Sequence, residues 1–388
     1  MKSGIVVRTV FAGAVLAFLA GMSFSVCRRY VRARTIGPGS RIEDGLVAVN
    51  GLLQRLEGKR VCNKCVKLVG SGQLMYPNHK RSDMADEAVL MTAFSEFCRT
   101  NGVGFLYVLL PKKLDMHRKM LPPGLVDVAY DNADDLLRRL DPKHVMYEDW
   151  RPKLAATPEM VAENFYISDL HWNNPAARQA AHDLVLSAAR ICGVSADSAA
   201  KAVELLEPGM WHEKRAERCF LGTLARRTGP YFVRKDDVAI LWPRFDTRIT
   251  VSVPDRKFEK TGTFLEVVVP YYAKRLDVWK KVSHSFGEQY AGGAARLVRI
   301  GNPGAPLNLR VMIIGDSFSR SARTYLSVAV REIVAVDPRR YDPPLDMAKM
   351  VLDERPDIVI QMHTVNALVA DALSGEKRES PAAFDYGL

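Results

Sequence analysis

A serine hydroxyl is a poor nucleophile at neutral pH unless a base takes its proton and a third group holds that base in the right tautomer. The 388-residue chain contains one set of residues that could meet this need. Ser317 stands in Gly315-Asp316-Ser317, after the apolar run Val311-Met312-Ile313-Ile314 and before a helical stretch, where a strand hands over to a helix. A side chain at that turn is exposed at a sheet edge, and the amides and dipole of the following helix favour an oxyanion. Well upstream, Asp169-Leu170-His171-Trp172-Asn173 supplies an imidazole and, two residues earlier, a carboxylate that can orient it if the chain turns between them. Each motif alone has a plainer reading: Asp316 or Ser317 caps the helix beginning at Phe318, and Asp169 or Asn173 caps a helix over 175–190. His363 is the rival base, since it follows a strand near the C-terminus, but it lacks an acid two or three residues before it.

The elements that would position these residues alternate between helix and strand. Ser40-Arg41-Ile42-Glu43 is a capping box opening an amphipathic helix with Leu46, Val49, Leu53 and Leu56 on one face. A helix from Met84 to Thr100 stops at Asn101-Gly102, and Val103 to Leu110 follows as a continuous apolar strand closed by Pro111. Pro175 suits the first turn of a helix that runs to Ile191. Residues 230–270 hold short β-branched runs (231–233, 238–242, 247–253 and 263–269) broken by turns, which predicts a β-rich insertion. The last third predicts a strand over 310–314, a helix over 318–334 and a strand over 357–360. A helix leading into a buried strand points to an α/β sheet.

Composition is that of a globular protein, with 48% hydrophobic and 26% charged residues. Of the net charge of +11, six charges (Lys2, Arg8, Arg28, Arg29, Arg32, Arg34) lie before residue 37, where there is no acid. The remaining five are spread too thinly for a nucleic-acid footprint, so no nucleic acid is expected as a partner. Residues 9–27 carry no charge and match the roughly 20 residues of a membrane-spanning helix. We expect a short tail at 1–8, an anchor at 9–27, a linker at 28–39, one catalytic domain at 40–375 and a polar tail at 376–388. A cleaved signal peptide is the alternative to the anchor. The arginines after the segment argue for a cytoplasmic body, against the exported body that the chemistry favours.

Six cysteines are too few for a disulfide scaffold. Cys62-Asn63-Lys64-Cys65 has no second pair to complete a zinc ribbon, so no metal is expected. In an oxidising compartment Cys62 or Cys65 could pair with Cys219. Cys98 and Cys192 read as buried small hydrophobes.

Together, DLHWN and the later IIGDSFSR resemble the SGNH-hydrolase-like domain of the alginate O-acetyltransferase family of the AlgJ/AlgX type. In that group the Asp-x-His-Trp block precedes the serine block, the reverse of ordinary SGNH esterases. Phe105 to Lys113, ending LLPKK, is similar to the family's strand followed by Pro-x-Lys, and Asp337-Pro338-Arg339 to an Asp-x-Arg after the serine helix. Val359-Ile360-Gln361-Met362-His363 departs from it, since an acidic residue and a nearby arginine are expected there. The resemblance implies an α/β, SGNH-hydrolase-like three-layer fold with a mainly parallel sheet, the β-rich insertion, and one N-terminal transmembrane helix before it. It implies a catalytic triad of Ser317, His171 and Asp169 that passes an acetyl group to a hydroxyl of an exported polysaccharide, with no cofactor. Arg339, Trp172 and Tyr325 are the expected substrate contacts, against a solvated turn for Arg339 and core packing for Trp172. The acetyl donor would be a membrane-bound acyltransferase partner, with the body in the periplasm and anchored in the inner membrane, closer to the AlgJ layout than to the longer AlgX one. A polysaccharide acetylesterase with the same triad, or a non-catalytic polysaccharide-binding assembly subunit, are the alternatives.

Overall fold

The computed structural model describes residues 41–273, 289–341 and 344–368. The 9–27 segment, the 28–39 linker, Ser40 of the capping box and the 376–388 tail lie outside the described residues. Among the described residues no helix is long and apolar enough to cross a membrane.

Three expected apolar strands form the centre of the main sheet: β4 (Gly104–Leu110), β11 (Leu307–Gly315) and β13 (Ile358–Thr364). β13 lies between the other two and runs parallel to both. Every residue of β13 is buried, which requires cover on both faces and accounts for its unbroken apolar start. The full order adds β5 (Tyr147–Asp149), β12 (Val330–Val336), β10 (Leu297–Gly301), β8 (Ile249–Val253) and β9 (Phe258–Gly262), as β5-β4-β13-β11-β12-β10-β8-β9.

The first five strands of that order are parallel, and the last three continue antiparallel. The sheet is therefore mixed, parallel over its larger part and antiparallel at one edge. Much of the expected 230–270 insertion is the sheet's own edge, because β8 and β9 hydrogen-bond onto it through β10. A separate antiparallel ribbon pairs β6 (Trp211–Phe220) with β7 (Asp236–Pro243). Three short strands, β1 (Val61–Cys62), β2 (Cys65–Lys67) and β3 (Leu74–Met75), make a small sheet of their own.

The helices used below are α1 (Arg41–Leu56), α2 (Ala85–Thr100), α3 (Ala129–Arg139), α4 (Asn174–Ile191), α5 (Ala196–Glu204), α6 (Thr223–Thr228), α7 (Ser319–Leu326) and α8 (Met347–Glu354); a seven-residue helix, Pro158–Asn164, and shorter turns lie between them. α4 packs on α5 and α7, while α2 packs on α3 and α8, giving two helix sets for the sheet.

Residues 231–233 form a turn and not a strand, and two further expectations fail for identifiable reasons. The helix expected over 318–334 ends at Leu326, and Val330–Val336 is a strand instead. Its β-branched residues Val330, Ile333, Val334 and Val336 are buried between β11 and β10, where a pleated strand packs them better than a helix would. The strand expected over 263–269 is a single wide helical turn, Phe264–Val268. Thr263 and Glu266 form a reciprocal capping box there, and that local hydrogen bonding overrides the β-branched composition.

Candidate active site

β11 ends at Gly315 and α7 begins at Ser319, so Ser317 occupies the turn at the C-terminal edge of the sheet. From Val311 to Val330 it is the one residue that is not buried. The turn is held from below by Asp316. One of its carboxylate oxygens accepts from the Phe318 amide at 2.9 Å, and the other from the Thr364 amide at 2.8 Å and hydroxyl at 3.0 Å. The Phe318 amide is therefore committed and does not serve as an oxyanion donor. Gly315 allows the close approach, since a β-carbon there would stand 2.5 Å from the Met362 carbonyl oxygen. Asp316 thus braces the turn without capping the helix, whose N-cap Phe318 has no side-chain cap bond, and leaves Ser317 free to face outward.

His171 and Asp169 sit on a tight loop closed by a bridge between Phe165 and Trp172. Both bridge residues are buried in the core, and Trp172 donates its indole N–H to Ser321 Oγ of α7 at 2.6 Å. This seat presses the loop against the serine helix, with the His171 ring centred 4.8 Å from that of Phe318. His171 Nε2 lies 2.7 Å from Ser317 Oγ, and His171 Nδ1 lies 2.5 Å from Asp169 Oδ1. An ionised carboxylate only accepts, so Nδ1 carries the proton and Nε2 presents its lone pair to the serine hydroxyl.

Asp169 is wholly buried, and its second oxygen accepts the Thr223 amide at 2.7 Å at the start of α6. Burial alone would raise its pKa, but the adjacent imidazole and the amides of Thr223 and His171 outweigh that. They hold the carboxyl well below the usual range, so it stays ionised. Gly222 makes the approach possible, because a β-carbon there would fall 2.2 Å from Asp169 Cβ.

The structure brings together the three residues singled out for chemistry and separates them from most of the others. His363 is fully buried on β13 with its ring 5.1 Å from that of Tyr107. Burial drives its imidazole down to about 4, with Asp316 opposing, and it is His171 that reaches Ser317. Trp172 and Tyr325, expected at the substrate, are 0% and 1% exposed. Trp172 is core packing behind the dyad, and Tyr325 packs edge-on against Trp211 with centroids 5.3 Å apart.

Arg339 follows β12 at the same sheet edge as Ser317. Its half-exposed guanidinium is bound to Asp337 by two bonds of 2.8 Å. That carboxylate also takes the buried Arg320 and the half-exposed Arg340, so three guanidiniums share one acid. Burial works against the charge on Asp337, and the guanidiniums, Arg339 first, hold its carboxyl low.

Cys219 forms a disulfide with neither Cys62 nor Cys65. Cys219 lies in the main core with its thiol on the Ala216 carbonyl, while Cys62 and Cys65 face each other in a separate small core. The Cys-x-x-Cys spacing is a hairpin signature. Cys62 and Cys65 are cross-strand partners, and Asn63 and Lys64 between them both have positive φ, as a two-residue primed turn demands. Among the described residues no cluster of His, Cys, Asp and Glu could hold a metal ion.

Sequence reasoning named Lys113 only as the end of the Pro-x-Lys match and did not single out Asp236, the two groups that hold the histidine loop. Lys113, two residues after Pro111, is buried and donates to the carbonyls of Tyr166 at 2.6 Å, Ile167 at 3.1 Å and Asp169. Asp236 accepts the amides of Ile167 and Ser168 at 2.5 and 2.8 Å, and the Ser168 hydroxyl. The one local signal was two lysines following an apolar strand.

Residues 71–217 match the family model described as SGNH hydrolase-like domain, acetyltransferase AlgX. The matched stretch contains Asp169 and His171 and stops short of Ser317. The resemblance drawn from the motifs is thus matched over the stretch that holds the Asp-x-His-Trp block. Among solved structures, Bacillus cereus PatB1 with a sulfonyl adduct is similar at TM-score 0.63 and 17% identity, covering 81% of this chain and 100% of that one. A DHHW family protein from Eubacterium siraeum has TM-score 0.57 and 17% identity, covering 79% and 92%. The O-acetyltransferase domain of Pseudomonas putida AlgJ has TM-score 0.42 and 13% identity, covering 77% and 90%. At these identities PatB1 and the DHHW protein share the fold. No curated protein sequence matches significantly.

Proposed function

From a chain whose residues 71–217 match the SGNH hydrolase-like domain of acetyltransferase AlgX, we propose an O-acetyltransferase that works through a serine acetyl-enzyme and delivers acetyl groups to hydroxyls of an exported polysaccharide. The observation that carries this is the continuous relay from Asp169 through His171 to Ser317 Oγ. His171 Nε2 takes the hydroxyl proton as Oγ attacks the carbonyl carbon of an acetyl ester. The oxyanion forms beside the serine turn, and the imidazolium returns its proton to the departing donor oxygen, leaving acetyl-Ser317. A sugar hydroxyl then enters, His171 takes its proton, and collapse of the second tetrahedral intermediate gives the acetylated sugar and restores the serine hydroxyl.

Asp169 stays ionised throughout and stabilises the imidazolium. Arg339 and Arg340 at the rim suit an acidic acceptor chain. In the same proposal, residues 9–27 anchor the chain in the inner membrane. The body then stands in the periplasm beside a membrane-bound acyltransferase that supplies the acetyl group.

The purified protein is incubated with an acetyl ester and a panel of oligosaccharides, with Ser317→Ala as control. Acetylated sugar that disappears in Ser317→Ala supports the transferase. Acetate with no acetylated sugar under any condition replaces it with an acetylesterase, and a serine that never acylates replaces it with a non-catalytic subunit.

A further inference from the structure

The loop that carries Asp169 and His171 has no regular secondary structure beyond its closing bridge, yet Ser168 and Asp169 are fully buried. A buried loop must find a partner for each backbone polar group or lose stability. Here the partners are a cation for the carbonyls and an anion for the amides. The carbonyls of Tyr166, Ile167 and Asp169 converge on the single ammonium of Lys113, which has three N–H donors to meet three acceptors. The amides of Ile167 and Ser168 both donate to Asp236, which has only acceptors to offer. The Ser168 hydroxyl also donates to Asp236 and accepts the Gly222 amide at 2.9 Å, one residue before the Thr223 amide that holds Asp169.

We propose that Lys113 and Asp236 are positioning residues that grip the histidine loop from its carbonyl side and its amide side, and so aim the Asp169–His171 pair at Ser317. The inference rests on the reading of Ser317 and His171 given above. Lys113 follows β4 and Asp236 opens β7, so the grip ties the loop to the main sheet and to the β6–β7 ribbon at once. Without the ammonium, three carbonyl dipoles would point at one another in a space closed to water. The loop would relax by moving the Asp169 main chain, and His171 is hydrogen-bonded to that residue through both its ring and its amide.

The charged and titratable groups facing Lys113 are Asp236, Asp169 and the Cys65 thiol on β2. Lys112, its neighbour in sequence, points elsewhere, to Asp127 and the Tyr76 carbonyl.

The test reads the nucleophilicity of Ser317 directly, as the second-order rate of labelling by phenylmethanesulfonyl fluoride measured by intact mass on the full chain. Labelling of the wild type that is absent from Ser317→Ala establishes the serine reading; no labelling of the wild type would sink that reading and leave this inference without a site. Given a labelled wild type, Lys113→Met is expected to react on the order of 100-fold more slowly, the scale of a misplaced catalytic group. It should still melt cooperatively. In a His171→Ala background, Lys113→Met is expected to cause no further loss, because Lys113 acts only through the loop that carries His171.

Wild-type reactivity in Lys113→Met, or an equal additional loss in the His171→Ala background, overturns the proposal. Should Lys113→Met fail to fold, Ser168→Ala removes one hydroxyl from the grip and carries the same two expectations at about tenfold.

Discussion

Replacing Asp169 by Asn tests the relay at its most constrained point. In the native site Oδ1 accepts from His171 Nδ1 at 2.5 Å and from the His171 amide at 3.1 Å, while Oδ2 accepts from the Thr223 amide at 2.7 Å. Three donors face two oxygens, and an amide can offer only one. With its oxygen toward His171, the Asn NH2 meets the Thr223 N–H, which loses its acceptor in a buried site; such a loss costs about 1–3 kcal/mol. With its oxygen toward Thr223, the NH2 faces His171, whose Nδ1 must then accept, placing the ring proton on Nε2 where Ser317 Oγ needs a lone pair.

Both arrangements remove the ionised partner of the imidazolium. We therefore expect the serine reaction to fall on the order of 10⁴-fold, the scale seen when a chymotrypsin-type triad loses its acid in this way. The assay is acyl-enzyme formation from a chromogenic acetyl ester at neutral pH, paired with a thermal melt.

The sign of the pH effect follows from the depressed carboxyl. A carboxyl held lower in the folded state than in the unfolded chain contributes stability above the unfolded value of about 3.9. That contribution is lost as pH falls toward the folded value. The wild type should thus be more stable than Asp169→Asn at neutral pH, with the gap narrowing below about pH 4. A variant that keeps its rate within tenfold of wild type at neutral pH would refute the reasoning.

Three further outcomes are expected. Gly222→Ala places a β-carbon 2.2 Å from Asp169 Cβ and 2.7 Å from its Cα, a clash no rotamer relieves. It should cost about 1–3 kcal/mol in denaturant unfolding and slow serine labelling, and a neutral result would disprove the close packing. Trp172→Phe loses the 2.6 Å bond to Ser321 and should lower stability by about 1 kcal/mol while leaving the KM for acceptor sugar unchanged; a raised KM would restore Trp172 to the cleft.

Lys113 is pushed from 10.5 down to about 8 by burial, with Asp236 and Asp169 opposing. Serine reactivity should decline above that pH. Between about 8 and 10.5 the unfolded chain binds the proton that the folded one has released, so this group makes the fold more stable, not less, as pH rises. Rate lost in that window while the melting temperature holds supports the grip, and parallel losses argue for simple unfolding.

Chemistry that depends on local order was legible in the residues themselves. Gly315-Asp316-Ser317 after an apolar run announces a strand-to-helix turn, because the side-chain pattern of a buried strand and the capping preference of the next helix are both short-range. The spacing of Asp169 and His171 likewise survives into the structure as two hydrogen bonds, from the His171 ring and amide to Asp169 Oδ1. Where local and long-range preferences compete, sequence misleads. Val330–Val336 continues a helical stretch by pattern and becomes a strand because β10 and β11 lie on either side. Cys62 and Cys65 suggest a partner for Cys219 and prove to flank a hairpin in a separate small core.

The separation of roles among buried aromatics was invisible for the same reason, since only packing shows that Trp172 backs the dyad and does not face substrate. The sequence by itself therefore singled out Ser317, His171 and Asp169, and the α/β character that places the serine at a sheet edge. Only the tertiary structure decided that these three meet, and that Lys113 and Asp236, 53 or more residues from the loop they hold, surround its backbone. Hydrogen bonds across such separations depend on where the sheet brings two strand ends together, and no spacing along the chain records that.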